Sequence, residues 1–255
     1  MEREIITSKA NSLLSRVRKL NSRRAFRRAE GAFAAEGPKL LGEALRWGVE
    51  VEAVICAPGV PLLELPAQVR VAEVGDALLA SIADTQSPQG IVFICKGKNL
   101  ALPDPLGGSR YLLLDGVQDP GNVGTIWRTA DAFGAEGLIL CNGCADPWNP
   151  KTVRATMGAV FRLPAYECTL AAAAGRLERA GISLYAAALQ EDTADVRSVC
   201  LDRAAVVIGS EGRGVSREAL DHCQKTVRIP MRKRCESLNA AVAASVVLWE
   251  MARND

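Results

Sequence analysis

The chain has 255 residues, 49% hydrophobic and 24% charged, with a net charge of +2. This balance excludes a disordered chain, and no apolar run reaches the ~20 residues that span a membrane. Eight cysteines are too few for a disulfide scaffold of this length, and aromatics at 5% leave a core of Ala, Val, Leu and Ile.

Residues 1–10 are polar and charged, so no secretory leader is expected and a cytoplasmic location follows. Residues 12–28 read as one basic helix. Between Arg16 and Arg28 seven residues are basic and none is acidic: Arg16, Arg18, Lys19, Arg23, Arg24, Arg27 and Arg28. A second cluster holds Arg228, Arg232, Lys233 and Arg234. Two such runs suit a phosphate backbone; either run alone reads equally as a solvated face. Residues 38–47 carry Leu40, Leu41, Ala44 and Leu45 at the spacing of an amphipathic helix. Strands are predicted at 51–56, 69–74 and 91–95, with a helix at 76–83. Residues 1–95 thus form a small α/β domain. Residues 96–109, with Gly97, Pro103, Pro105, Gly107 and Gly108, read as a linker with few core residues.

Residues 110–255 form a second α/β domain. Strands are predicted at 111–114, 137–140, 183–187, 205–208 and 226–229, and helices at 123–133, 170–180 and 238–252. The strands are apolar without alternation, the mark of a mainly parallel sheet covered by helices on both faces. Only Cys141 and Cys144 form a CxxC pair, and no second pair follows at finger spacing. Buried, reduced thiols are expected and no metal.

Ligands of parallel sheets gather at the carboxyl ends of the strands, and three such ends are unusual here. Residues 115–124 contain Gly116, Gly121 and Gly124 and lead into a helix with Asn122 and, six residues on, Arg128. Asn122 can cap that helix. An ordinary strand–turn–helix with a surface arginine has the same pattern. Residues 206–215 surround Glu211 with Gly209, Gly212 and Gly214, neither a dinucleotide fingerprint nor a P-loop. Glu211 could bind a cation, hold an arginine, or occupy a solvated turn. Residues 229–239 run from Ile229-Pro-Met to Ser237, a candidate helix cap, and Asn239. The single histidine, His222, argues against a Ser-His-Asp triad.

Together, Asp119-Pro-Gly-Asn-Val-Gly-Thr-Ile-Trp-Arg-Thr-Ala-Asp-Ala-Phe-Gly134, Ile208-Gly-Ser-Glu-Gly-Arg-Gly-Val-Ser216 and Ile229-Pro-Met with Ser237-Leu-Asn239 resemble the three motifs of the SpoU (TrmH-like) RNA 2′-O-ribose methyltransferases, in the family's order. Lys151-Thr-Val-Arg-Ala-Thr-Met-Gly-Ala159 resembles the segment between the first two motifs. Asn11 and Phe33-Ala-Ala-Glu-Gly37 are similar to the family's L30e-like RNA substrate-binding domain.

The resemblance implies a trefoil-knotted α/β domain, a homodimer packed through it, and S-adenosylmethionine as methyl donor. The acceptor is a ribose 2′-hydroxyl of structured RNA, with ribosomal RNA preferred to transfer RNA. A non-catalytic RNA-binding protein on the same scaffold is the alternative. By resemblance the catalytic set is Arg128, Asn122, Glu211, Ser237 and Asn239. Gly209, Ile229 and Leu238 bind the cofactor, and the basic run from Arg16 to Arg28 binds RNA. Arg128 could act as a base in a strongly perturbed site, stabilise the forming alkoxide, or recruit an RNA phosphate. The family usually has glycine where this chain has Lys233, and often asparagine where it has Ser210.

Overall fold

The computed structural model describes residues 3–98, 100–232, 234–235 and 237–254; Lys233 lies outside them. The chain forms two compact units. The first comprises Met1–Lys98 and Trp148–Phe161, and the second Asn99–Pro147 and Arg162–Asp255.

The first unit begins with β1 (Glu4–Ile6), α1 (Ser12–Ser22), α2 (Arg24–Glu30), β2 (Ala32–Glu36), α3 (Pro38–Arg46), β3 (Val51–Cys56), β4 (Arg70–Val74), α4 (Asp76–Ala80) and β5 (Ile91–Lys96). Its sheet runs β1-β4-β3-β5-β2. Asn11 caps α1 through a 2.8 Å bond from the Leu13 N–H, and Leu13, Leu14, Val17 and Leu20 bury one face of that helix.

The single basic helix expected over 12–28 is two helices. The chain turns extended at Arg23, and Arg27 explains the break. The residue is 3% exposed, and its guanidinium donates to the carbonyls of Leu20 (2.5 Å) and Asn21 (3.2 Å). It thereby satisfies end-of-helix acceptors that would otherwise be buried without partners.

The second unit continues with β6 (Arg110–Asp115), α5 (Pro120–Ala132) and β7 (Gly137–Cys141). The chain then supplies α6 (Pro150–Ala155) to the first unit and passes through α7 (Ala159–Arg162). Within the first unit the Trp148 ring stacks on Phe33 with centroids 6.2 Å apart, Phe161 stacks on Phe33 at 6.3 Å, and Arg154 pairs with Asp84. Back in the second unit follow β8 (Ala165–Glu167), α8 (Leu170–Arg179), β9 (Ser183–Ala187), β10 (Ala194–Asp195), β11 (Ala204–Gly209), α9 (Arg217–His222), β12 (Lys225–Arg228) and α10 (Ala240–Met251).

The second sheet runs β10-β12-β9-β11-β6-β7-β8, and every pairing is parallel. Alternate side chains face opposite ways. Leu113, Ile139, Ala205 and Val207 pack with Leu170, Leu177 and Ala219 of α8 and α9. Leu112, Leu138 and Val206, on the other face, are fully buried as well, and α5 and α10 pack on that side. In the stretch expected to be a linker with few core residues, Leu100, Leu102 and Leu106 are buried, and the last two lie in the same cluster as Tyr111 and Leu113. Its prolines and glycines masked an apolar pattern that lacks helix or strand periodicity. Among the described residues, no helix is long and apolar enough to cross a membrane.

All eight cysteines are free, and Cys56, Cys95, Cys141 and Cys144 are buried. In the CxxC pair, the Cys144 thiol donates to the carbonyls of Leu114 (3.2 Å) and Cys141 (3.1 Å). Burial pushes that thiol up to about 11, a packing role rather than a nucleophile's.

Candidate active site

Three loops meet at the carboxyl ends of β6, β11 and β12. The first enters α5. Its cap is Asp119, whose carboxylate accepts the Asn122 N–H at 2.9 Å, with Pro120 at the first helical position. The expectation that Asn122 caps the helix is therefore corrected. Asn122 sits inside the first turn, and its side chain is available for other partners.

The second loop is a tight hairpin. Ser210 and Gly214 exchange two backbone hydrogen bonds of 3.0 Å each, with Gly214 in the left-handed region at φ +67°. Glu211 sits at the tip. A Cβ on Gly209 would lie 2.0 Å from the Gly214 carbonyl carbon and 2.1 Å from the Val215 nitrogen. Only glycine lets the strand end and the returning hairpin approach so closely.

Glu211 accepts from the Asn122 side-chain amide at 2.8 Å and from the N–H groups of Gln118 (3.2 Å) and Asp119 (3.3 Å). Among the described residues these neutral donors, rather than an arginine, hold it. Burial pushes its carboxyl up. The donations from Asn122 and from the N–H groups of Glu211, Gln118 and Asp119 outweigh burial and hold it below the usual glutamate value.

The third loop delivers Asn239, which caps α10 by accepting the N–H groups of Ala241 (2.9 Å) and Val242 (3.3 Å). The cap expected at Ser237 is thus moved two residues on. The amide of Asn239 donates to the Asn122 oxygen at 3.1 Å. Asn239, Asn122 and Glu211 form one hydrogen-bonded chain in which each amide uses its acceptor and a donor at once. Ser237 is exposed.

Beside this chain lies a cleft of ≈ 500 Å³, within the range of small-molecule sites. Gly209, Ile229 and Leu238 all line it, together with Glu211, Ser237, Arg213 and the strand-end residues Ala187 to Gln190. Arg128 is exposed on α5. Six residues of helix place it about 120° round the axis from Asn122, and it has no hydrogen-bonding or ion-pairing partner among the described residues.

The basic run divides. Arg16 pairs with Glu30 at 2.8 Å and Glu52 at 2.6 Å, and Arg27 is buried in its capping role. Arg18 donates to the Lys9 carbonyl at 2.6 Å. Lys19 lies 5.5 Å from the Phe26 ring centroid and Arg28 lies 5.2 Å from that of Trp148. Arg23 and Arg24 are exposed at the break between the two helices.

Residues 109–249 match the SpoU rRNA methylase family, and residues 11–92 match the MRM3-like substrate binding domain. The chain belongs to the SpoU rRNA methylase family. It is 29% identical over 247 residues to the 23S rRNA (guanosine(2553)-2′-O)-methyltransferase RlmP of Bacillus subtilis, covering 96% of this chain and 98% of that one. It is 30% identical to the mitochondrial rRNA methyltransferase 3A of Danio rerio, covering 93% and 67%. The crystal structure of an AdoMet-bound rRNA methyltransferase from Sinorhizobium meliloti superposes with a TM-score of 0.87 at 31% identity, over 98% of both chains. The second unit has the trefoil-knotted fold of SpoU methylases.

Sequence reading of this SpoU chain missed the backbone donors of Gln118 and Asp119, which carry no side-chain signal, and three anchors, Asp115, Asn142 and Ser216. Asp115 had a signal: a carboxylate directly after the apolar run of residues 111–114.

Proposed function

We propose that this chain transfers a methyl group from S-adenosylmethionine to a ribose 2′-hydroxyl of ribosomal RNA. The observation that carries the reading is the convergence of Asn239, Asn122 and Glu211 into one hydrogen-bonded chain beside the 500 Å³ cleft. Full-length relatives named as rRNA methyltransferases, one of them AdoMet-bound, support the substrate and the cofactor.

The cleft fits the cofactor. Ile208, Val227, Ile229 and Leu238 offer apolar walls for a heteroaromatic base, and Gly209 lines the same cleft. When bound, S-adenosylmethionine supplies an electrophilic methyl group on a positively charged sulfur.

The chain's own residues then have separable tasks. Asn122 and Asn239, held by Glu211 and by the α10 cap, orient the ribose. Low-energy, fully satisfied networks keep such groups in place without reorganisation during reaction. Arg128 supplies a cation at the acceptor oxygen. There it stabilises the negative charge that develops on that oxygen as the 2′-proton passes to solvent water. Ser237, at the mouth of the cleft, completes the acceptor side. Arg18, Lys19, Arg23, Arg24 and Arg28 engage RNA phosphates, and the protein works in the cytoplasm.

We also place a homodimer at the face of α5 and α10. Val242 is 49% exposed and Trp249 62% exposed on α10, where an apolar surface of this kind favours a partner. Sedimentation at micromolar concentration would give a dimer, and Trp249→Glu a monomer; a monomeric parent protein would remove that assignment.

The test of the reading itself is methyl transfer from labelled S-adenosylmethionine to ribosomal RNA by the parent protein and by Arg128→Ala. Label on a ribose 2′-oxygen, lost in the variant, is expected. Label on a base, or none, would overturn it.

A further inference from the structure

Asp115 closes β6 at 3% exposure. Neither oxygen bonds to any residue of the Asn239–Asn122–Glu211 chain, yet both are in use. Oδ1 accepts from the Asn142 side-chain amide at 2.7 Å, and Oδ2 accepts from the Ser216 N–H at 2.6 Å. The two donors come from different strand ends. Asn142 follows β7 and holds φ +52°, a left-handed conformation that a non-glycine residue keeps only when held. Ser216 caps α9 by accepting the Ala219 N–H at 3.2 Å. It is also where the hairpin that leaves Gly209 returns, and Gly209 is the register partner of Asp115 in the sheet.

One buried carboxylate therefore ties the end of β7 to the returning leg of the Glu211 hairpin. Hydrogen bonds to an ionised acceptor in a water-poor site are short and strong. Glu211 holds Asn122 from that hairpin, and the same hairpin walls the cleft.

We propose that Asp115 is a positioning residue for methyl transfer: by holding Ser216 and Asn142 at once, it fixes the hairpin of residues 209–215 and so sets the affinity of the cleft for S-adenosylmethionine. This inference rests on the methyltransferase reading above. The pairing of donors and acceptors gives it a specific test. A carboxylate presents two acceptors to two donors. Asp115→Leu keeps a similar volume and removes both acceptors. Asp115→Asn keeps an acceptor for the Ser216 N–H and turns a donor towards Asn142, whose own amide can turn over to accept it.

The experiment is calorimetric titration of the full-length protein with S-adenosylmethionine, alongside melting temperature, RNA affinity and kcat at saturating cofactor. Asp115→Leu is expected to weaken cofactor binding about 10- to 100-fold, with RNA affinity unchanged and saturated kcat lowered as well, because the same hairpin carries Glu211. Asp115→Asn should recover most of the loss. If Asp115→Leu does not fold, Asn142→Ala tests the same point, since it removes one donor and leaves the Ser216 bond, and several-fold weaker cofactor binding is expected. Parent-like affinity in Asp115→Leu or Asn142→Ala, or a folded Asp115→Asn no better than Asp115→Leu, would overturn the proposal. A parent protein that binds no cofactor would overturn the methyltransferase reading instead.

Discussion

The basic N-terminal helices and the three loops of the second unit both carry polar residues that look functional in sequence, and the structure separates them by where their donors go. In the first unit, Arg27 gives its guanidinium to carbonyls at the end of α1, and Arg16 gives its own to Glu30 and Glu52. In the second, Asn122 receives from Asn239 and gives to Glu211, while Arg128 has no ion-pair or hydrogen-bond partner among the described residues. A count of charges cannot make this distinction. Arginines committed to buried carbonyls or to carboxylates, such as Arg27 and Arg16, stabilise the fold, whereas Arg128 is available to substrate.

Breaking that contrast in the second unit should have the largest effect. Arg128→Ala should lower kcat at least 10²- to 10³-fold, roughly the loss for one preorganised charge-stabilising group, with an unchanged melting temperature because the side chain is exposed. Near-parental turnover would return it to an ordinary surface arginine. Gly209→Ala should come next. Its methyl would meet the returning hairpin backbone, so calorimetry should show cofactor affinity falling at least about tenfold; parent-like affinity would mean the hairpin moves freely.

The first unit should behave in the opposite manner. Arg27→Ala should destabilise the protein by about 1–3 kcal/mol, as expected when buried carbonyls lose a charged donor, and denaturant unfolding would measure it. The Arg23→Ala variant should leave stability alone and reduce the salt slope of RNA binding by about one for the phosphate no longer neutralised. If the two variants exchanged phenotypes, the division of the basic run would be wrong.

Acidification should give the smallest effect. The Glu211 carboxyl is held below its ordinary 4.5 in the folded protein. Its contribution is therefore complete above that value and is lost as pH falls through the lower folded value. Cofactor affinity should be level from neutral pH to about 5 and decline only in stronger acid, and in Glu211→Gln this decline should be absent.

Much of this was legible in the sequence. The apolar runs at 137–140 and 205–208 announced buried parallel strands, and the glycines around Glu211 announced a turn at a strand end. Gly209, Ile229 and Leu238 were singled out together and line one cleft. What stayed hidden depends on three-dimensional satisfaction of hydrogen bonds. The break at Arg23 follows from Arg27 turning back on α1, which no local propensity encodes. The caps at Asp119 and Asn239 lay a few residues from the expected ones, because Asn122 and Ser237 are equally good cap formers. The small-residue strand Ala32–Glu36 carries little β-propensity and is held by its pairing with β5. Asp115 gave a sign, but its two partners lie 27 and 101 residues away.

The most direct test of the central claim is to map 2′-O-methylation across ribosomal RNA from cells with and without this gene. The account predicts that one or more ribose methyl groups disappear with the gene and return with the parent protein but not with Arg128→Ala. An unchanged ribosomal RNA map would contradict it.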